Sequence, residues 1–131
     1  MRPHGLRTSD CVYAELSASR LRIISGARDN VARIEDIAKI CARYRFSYSL
    51  HAPLALNLMD EADRPLHMAV LQSCLRFASR IGAKVVVVHP GRVHPRADQS
   101  YRTRMLTVER DQMRRAADMA GANGQKIAME L

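Results

Sequence analysis

The sequence feature that most constrains the fold is the run from Lys84 to Arg92, Lys-Val-Val-Val-Val-His-Pro-Gly-Arg. Four consecutive β-branched residues, placed after the end of a helical pattern, predict a parallel strand that is buried on both faces. His89 is the last residue of this strand, because Pro90 and Gly91 stop it. Active sites of α/β proteins lie at the carboxyl ends of their parallel strands. His89 is therefore the first candidate for a functional residue.

Three other segments predict strands that also end in polar residues. They are Cys11 to Leu16, with Glu15 near its end, Phe46 to His51, and Lys126 to Leu131, with Glu130 near its end. Helical periodicity between them predicts helices over residues 31–44, 65–81 and 101–120. The short segment from Leu21 to Gly26 is either a further extended piece or part of a loop. The alternation predicts an α/β fold of right-handed parallel βα repeats.

Apolar residues at spacings of three and four define the predicted inner faces of the three helices. They are Val31, Ile34, Ile37, Ala38 and Cys41 in the first, Leu66, Val70, Cys74, Phe77, Ala78 and Ile81 in the second, and Leu106, Met113, Ala117 and Ala120 in the third. Asn30 is a plausible cap at the start of the first helix, and Gly82 is well placed to end the second.

Length and composition bound what this chain can be. Its 131 residues suffice for one domain with a core, but a closed eight-stranded barrel takes roughly 250 residues. No apolar run approaches the roughly 18 residues of a membrane span, and residues 1–10 lack the apolar region of a secretory signal. We therefore expect a cytoplasmic protein with no membrane association. Cys11, Cys41 and Cys74 each lie in an apolar pattern, which predicts reduced core residues rather than disulfides or a metal site.

The net charge of +8, from 21 basic and 13 acidic residues, would attract partners that carry phosphate groups. Most of the arginines nevertheless follow helical patterns without interleaved aromatic residues, which favours solvated helix faces. Nucleic acid is accordingly a less favoured partner than a small molecule. The sequence contains neither a glycine-rich phosphate loop nor a nucleophile elbow.

The polar strand ends Glu15, His51, His89 and Glu130 recur at intervals of roughly 40 residues, about the length of one βα unit. Each unit therefore brings one polar residue to the same edge of the sheet. A lone histidine is more often a structural residue, but two imidazoles and a carboxylate together form a ligand set for zinc, manganese or a similar divalent ion. We predict that His51, His89 and Glu130 converge on one cleft, with their ligand atoms within about 8 Å of one another.

Three motifs carry a resemblance to a known superfamily. Ser49-Leu-His-Ala-Pro53 with Leu56-Asn-Leu58 after it, the run from Gly82 to Gly91, and Lys126-Ile-Ala-Met-Glu130 resemble, in order and spacing, successive strand motifs of the xylose isomerase-like TIM barrels. This superfamily includes sugar phosphate isomerases and epimerases and endonuclease IV. The resemblance covers residues 12–131.

The resemblance implies a role for each of the converging residues. His51 and His89 would be ligands of a metal or of the substrate, and Glu130 would bind the metal and belong to the acid/base pair. Two positions differ from the superfamily pattern. Leu131 stands where an asparagine is frequent, and Leu54 stands where endonuclease IV-like sequences commonly have tyrosine.

The resemblance also implies a partial TIM barrel, about half of a (β/α)8 barrel. We expect residues 1–131 to form a single partial-barrel domain that is either truncated or completed by another chain. Four parallel strands leave two unpaired edges and an exposed apolar inner face, which favours self-association.

The function that these expectations favour is that of a sugar or sugar phosphate isomerase or epimerase. In such an enzyme a divalent metal assists proton transfer on a small hydroxy-carbonyl substrate, and Glu130 is the candidate catalytic carboxylate. One alternative is a metal-dependent phosphodiesterase resembling apurinic-site endonucleases. A second alternative is a non-catalytic half-barrel that binds a metabolite or partner.

Overall fold

The computed structural model describes residues 13–131, so the predicted core position of Cys11 lies outside the described residues. Strands and helices alternate along the chain. In chain order they are β1 (Tyr13–Ser17), α1 (Ala18–Leu21), β2 (Ile24–Ser25), β3 (Arg28–Asp29), α2 (Val31–Ala42), β4 (Ser47–His51), α3 (Arg64–Ile81), β5 (Val85–Val88), α4 (Gln99–Ala122) and β6 (Lys126–Met129).

Strands β1, β4, β5 and β6 form one sheet in that order, and all three pairings are parallel. The predicted α/β fold of parallel βα repeats is confirmed. The register pairs Ser17 with His51, His51 with Val87, and Val87 with Ala128. Paired residues of a parallel sheet point to the same face, so one row of side chains runs across all four strands.

The other face of the sheet carries the core. Leu50, Val86 and Val88 are at most 1% exposed and belong to one apolar cluster with Leu71 and Phe77 of α3. Each such side chain contributes about 1.5–3 kcal/mol when it leaves water. The prediction that the valine strand is buried on both faces is correct for one face only. Within the described residues, Val85 and Val87 on the opposite face remain half-buried, because no helix covers them.

The predicted inner faces of α2 and α3 are confirmed except at their first turns. Ile37, Ala38 and Cys41 of α2 are buried, as predicted, whereas Val31 is 66% exposed. In α3 the predicted stripe is buried or half-buried, apart from Leu66, which is 48% exposed. Both exceptions lie in the first turn of their helix.

The predicted inner face of α4 is correct at two of its four residues. Ala120 is buried and Met113 is half-buried against the core, as predicted, whereas Leu106 and Ala117 are exposed. The buried residues of α4 are Met105, Glu109, Gln112, Ala116 and Ala120. The periodicity considered only apolar residues, but two of the five inward residues are polar. Glu109 turns inward because its carboxyl group accepts a hydrogen bond from the backbone of Gly91.

The segment from Leu21 to Gly26 is neither a single strand nor a plain loop. Leu21 ends the short helix α1, and β2 pairs with β3 as a small antiparallel hairpin. Gly26 and Ala27, at its turn, both have positive φ angles, 57° and 60°. A bidentate ion pair joins the hairpin to α3, because both carboxylate oxygens of Asp29 accept hydrogen bonds from Arg76 at 3.0 Å.

The two cysteines within the described part of the chain behave as predicted. Cys41 and Cys74 are both reduced and buried. Burial raises the pKa of the Cys74 thiol to about 12, so this residue remains an unreactive part of the core. Across residues 13–131, no helix has the length and apolar character needed to cross a membrane.

The ion pair between Asp29 and Arg76 predicts a pH-dependent contribution to stability. The hydrogen bond from Arg76 lowers the pKa of Asp29 from its ordinary value of 3.8. A carboxyl group with a lowered pKa stabilises the fold above its unfolded-state pKa, and this stabilisation is lost as the pH falls through the folded-state pKa. We expect Asp29→Asn to lower the free energy of unfolding at pH 7 by up to about 1 kcal/mol.

Urea unfolding of the wild type and of Asp29→Asn between pH 7 and pH 2.5 measures the difference in their free energies of unfolding. This difference should shrink below about pH 4. Asp118→Asn is the matched control, because Asp118 is exposed and pairs with no described residue. A difference between Asp29→Asn and the wild type that stays constant down to pH 2.5 would show that the charge of Asp29 is not its cause.

Candidate metal centre

Three of the predicted site residues lie at the carboxyl-terminal edge of the sheet. His51 is the last residue of β4, while His89 and Glu130 directly follow β5 and β6. The backbone pairing continues past the strands, since the Ala52 amide donates to the Val87 carbonyl at 2.8 Å and the Glu130 amide donates to the Val88 carbonyl at 2.9 Å. These hydrogen bonds hold the backbone from which the three side chains project.

The three side chains meet in one cluster. His51 Nε2 lies 2.7 Å from Glu130 Oε2, and His89 Nε2 lies 3.8 Å from the same oxygen. The two imidazole rings have their centroids 4.6 Å apart. One ligand atom from each residue can be chosen so that all three lie within 4.8 Å of one another. This spacing is tighter than the 8 Å expected from the sequence.

The closest two groups of the cluster shift each other's pKa. Burial favours the neutral form of His51, but the hydrogen bonds with Glu130 and the Ala52 carbonyl and the negative charge of Glu15 outweigh it, so the pKa of His51 is raised. The hydrogen bond with His51 is the main reason that the pKa of Glu130 is lowered, and the nearby imidazole of His89 acts in the same direction. The pair therefore favours a protonated imidazole beside an ionised carboxylate.

The donor set fits a divalent ion in both chemistry and spacing. Two imidazole nitrogens and one carboxylate oxygen are common ligands of zinc and manganese. Two bonds of about 2 Å to a single ion span at most about 4 Å, so donors within 4.8 Å of one another need only a small side-chain rotation. His51 Nδ1 lies 3.1 Å from the Ala52 carbonyl, a contact that leaves Nε2 facing the cluster. Contacts of this kind orient imidazoles in metal sites.

The fourth polar strand residue, Glu15, is displaced from the cluster. Glu15 pairs with Ser49, and the residue level with His51 is Ser17. Equal intervals along the chain placed Glu15 at the strand end, but the register places it two residues earlier. It stays close enough to His51 for its charge to affect the pKa of that imidazole.

A bracing contact that the sequence did not predict supports the loop after His89. The buried carboxyl group of Glu109 accepts a hydrogen bond from the Gly91 amide. Asn57 Oδ1 and Met59 also lie against Gly91, where only the absence of a side chain leaves room for them. No local pattern of the sequence indicated this role, because Glu109 lies on a helix whose apolar stripe is weak.

His67, a second residue that the sequence did not single out, supports the loop after β4. The backbone amide of Asn57 donates to His67 Nδ1 at 3.1 Å, and His67 Nε2 lies 3.0 Å from Asp60 Oδ2. Both ring nitrogens are thus engaged within the protein, so we interpret His67 as a structural residue. His94 is exposed in a loop, and its Nδ1 accepts a hydrogen bond from the backbone amide of Arg96 at 3.1 Å.

The fold and the cluster define an α/β protein that carries a set of metal-ligating side chains at the carboxyl ends of its strands. Comparison with known proteins adds the family. The family model described as xylose isomerase-like TIM barrel matches residues 13–131. The chain therefore belongs to the xylose isomerase-like TIM barrel family. A search of curated protein sequences finds no match to it.

Several solved structures share this fold. A D-tagatose 3-epimerase-like protein has a TM-score of 0.68 at 22% identity, over 90% of this chain and 43% of its own. A D-psicose 3-epimerase in the presence of D-fructose has a TM-score of 0.68 at 16% identity, over 92% and 42% of the two chains. A xylose isomerase domain protein from Planctomyces limnophilus has a TM-score of 0.60 at 14% identity, over 91% and 45%.

The chain thus spans less than half the length of these three structures. That coverage agrees with the predicted partial TIM barrel.

The close packing around Gly91 predicts that an added methyl group at this position lowers the stability of the fold. A Cβ atom at this position would lie 2.6 Å from Asn57 Oδ1 and 2.8 Å from Glu109 Oε2. We expect Gly91→Ala to lower the free energy of unfolding by about 1–3 kcal/mol, because backbone and buried polar groups must move apart. Urea unfolding measures the change.

The matched control for this substitution is Gly121→Ala. A Cβ atom at Gly121 meets nothing within 4 Å, and the residue lies in α4, where alanine is favourable. Equal stability of Gly91→Ala and the wild type would contradict the close packing around this loop.

Proposed function

We propose that this chain carries part of the active site of a sugar isomerase or epimerase that moves a proton with the assistance of a divalent metal. The observation that carries the proposal is the convergence of His51, His89 and Glu130 within 4.8 Å at the strand ends. Family membership and the epimerase names of two structural neighbours support this reaction class. The substrate we propose is a small hydroxy-carbonyl sugar or sugar phosphate.

We assign the metal to His51, His89 and Glu130, with zinc, manganese or a similar ion as the candidate. Neutral imidazole and ionised carboxylate are the forms in which these side chains bind such ions. When bound, the ion would supply positive charge that lowers the cost of the negative charge developing on the substrate oxygens. The two histidines would also help to position the substrate beside Glu130.

Glu130 is the residue that we assign to proton transfer. Its Oε2 atom contacts both imidazoles, whereas Oε1 accepts no hydrogen bond from any other described residue. The side chain is 55% exposed at the mouth of the cleft. Oε1 is therefore available to take a proton from a substrate carbon while Oε2 stays with the imidazoles. His51 keeps the carboxylate oriented and, by lowering its pKa, ionised.

The proposal also includes the further strands that would complete the barrel. Within the described residues, β1 and β6 each pair on one side only. We propose that residues 13–131 form part of a single barrel domain and that further strands, from a second copy or from other sequence, complete it. Self-association through these edges stays a prediction.

Metal binding provides the first test. Isothermal titration of the purified chain with Zn²⁺ or Mn²⁺ should show one site, and His51→Ala or His89→Ala should weaken binding by more than about 100-fold, since loss of a mere supporting contact costs 10- to 100-fold. His94→Ala is the control, because His94 lies outside the cluster. Wild-type protein that binds neither ion, or His51→Ala that binds as tightly as the wild type, would overturn the metal assignment.

Turnover provides the second test. With a panel of ketoses and ketose phosphates, Glu130→Gln should lower metal-dependent isomerisation by roughly 100- to 10,000-fold, the usual contribution of a general base, while urea unfolding shows an intact fold. Glu35→Gln removes a carboxylate that pairs with Arg80 away from the cleft and should retain activity. If Glu130→Gln matched the wild type, the assignment of Glu130 would be wrong.

The alternatives give different results in the same assays. Salt-dependent binding and cleavage of duplex DNA with an abasic site, without isomerisation, would identify the phosphodiesterase instead. A chain that binds neither zinc nor manganese and isomerises none of the ketoses would be the non-catalytic half-barrel.

A further inference from the structure

Two recesses of the surface meet at His51. One, of about 410 Å³, is lined in part by Glu15, and the other, of about 300 Å³, is lined in part by His89 and Glu130. Ser17, Arg20 and His51 line both recesses. Arg20, which the proposed proton transfer does not use, therefore lines the recess that contains the candidate metal centre.

The side chain of Arg20 has no hydrogen-bonding partner within residues 13–131. It is exposed and forms no ion pair or hydrogen bond with any described residue. Several other arginines do have partners, which are Asp29 for Arg76, Glu35 for Arg80, Glu61 for Arg104, the Leu21 carbonyl for Arg33 and three loop carbonyls for Arg102. Glu130 shares a recess with Arg20 but pairs with His51 instead. No described residue therefore uses the five donors of the Arg20 guanidinium.

The backbone beneath Arg20 is held in place although its side chain is not. The Ser17 hydroxyl accepts from the Arg20 amide at 3.3 Å and caps the short helix α1. Arg33 of α2 donates to the Leu21 carbonyl at 2.9 Å, and Asn30 donates to the Arg22 carbonyl at 3.1 Å. Three hydrogen bonds therefore hold the backbone from which the Arg20 side chain projects.

A second arginine contacts a residue of the recess that contains the metal cluster. Arg92 Nη2 donates to the Leu54 carbonyl at 3.3 Å, and Leu54 lines the recess of about 300 Å³, whereas Arg92 itself does not. Arg20 is therefore the arginine that lines this recess together with His51, His89 and Glu130.

We propose that Arg20 binds an anionic group of the substrate, a phosphate or a carboxylate, while the reacting carbons lie beside Glu130 and His51. A guanidinium binds such groups through two parallel, charge-assisted hydrogen bonds, a stronger interaction than the single bonds it makes to neutral hydroxyls. This assignment rests on the proposed function and narrows its substrate to an anionic sugar.

Calorimetric titration of the zinc-loaded chain tests the assignment with three ligands. They are a ketose phosphate, the same ketose without phosphate, and a keto sugar acid of equal length. We expect Arg20→Gln to weaken binding of the preferred anionic ligand by about 10- to 100-fold, the value of one charged hydrogen-bonding group, and to leave the neutral ketose unchanged. Comparison of the phosphate with the acid identifies which anion the site prefers.

Arg115→Gln is the matched control, because it removes the same charge from an exposed position on α4. It should bind all three ligands as the wild type does. Arg20→Gln should also bind zinc with wild-type affinity, which separates loss of the anion site from loss of the metal centre.

Two results would overturn the assignment. One is equal affinity of the wild type for the neutral ketose and for both anionic ligands, and the other is equal loss of anion binding in Arg20→Gln and Arg115→Gln. If the wild type bound no zinc, the proposed function would fail, and Arg20 would then be tested by NMR titration of the metal-free chain with inorganic phosphate and with the keto sugar acid. If neither ligand shifted the Arg20 Nε–H resonance, the assignment of Arg20 would be overturned separately.

Discussion

The parallel register of β4, β5 and β6 is the constraint on which the rest of this structure depends. Val87 pairs with both His51 and Ala128, which brings His89 and Glu130 to the same edge as His51. A shift of one residue in either pairing would turn a whole strand over. Leu50, Val86 and Val88 on the opposite face are almost completely buried, and this burial opposes such a shift. The apolar core thus determines which side chains meet at the polar edge.

The loops that carry the site are supported from behind by polar groups rather than by apolar ones. Glu109 reaches from α4 to the Gly91 backbone, and His67 reaches from α3 to the Asn57 backbone. Buried polar groups are costly unless they are hydrogen-bonded, but they specify direction as well as distance. Two helices therefore fix the path of the chain just beyond two strand ends, where apolar packing alone would leave it less precisely placed.

The residues of the cluster shift one another's pKa values although Glu130 is exposed. Glu130 is more than half exposed, yet its hydrogen bond with His51 lowers its pKa, and the same bond helps to raise the pKa of His51 against the effect of burial. The fold is shared with a D-tagatose 3-epimerase-like protein, a D-psicose 3-epimerase and a xylose isomerase domain protein at only 14–22% identity. Because one fold can host different reactions, the proposed chemistry of this chain rests on the cluster and on Arg20 rather than on the fold.

The sequence by itself determined the order of the four sheet strands and the three long helices, the polar strand ends and the family, because period, β-branched runs and stop signals are local properties of the chain. It also indicated that His51, His89 and Glu130 would meet, since parallel strands share one carboxyl-terminal edge. Only the tertiary structure decided that Glu15 lies below that edge and that Glu109 rather than Leu106 faces inward. Strand register and the rotation of a helix with a weak apolar stripe depend on contacts between residues distant in the chain, which no local pattern encodes.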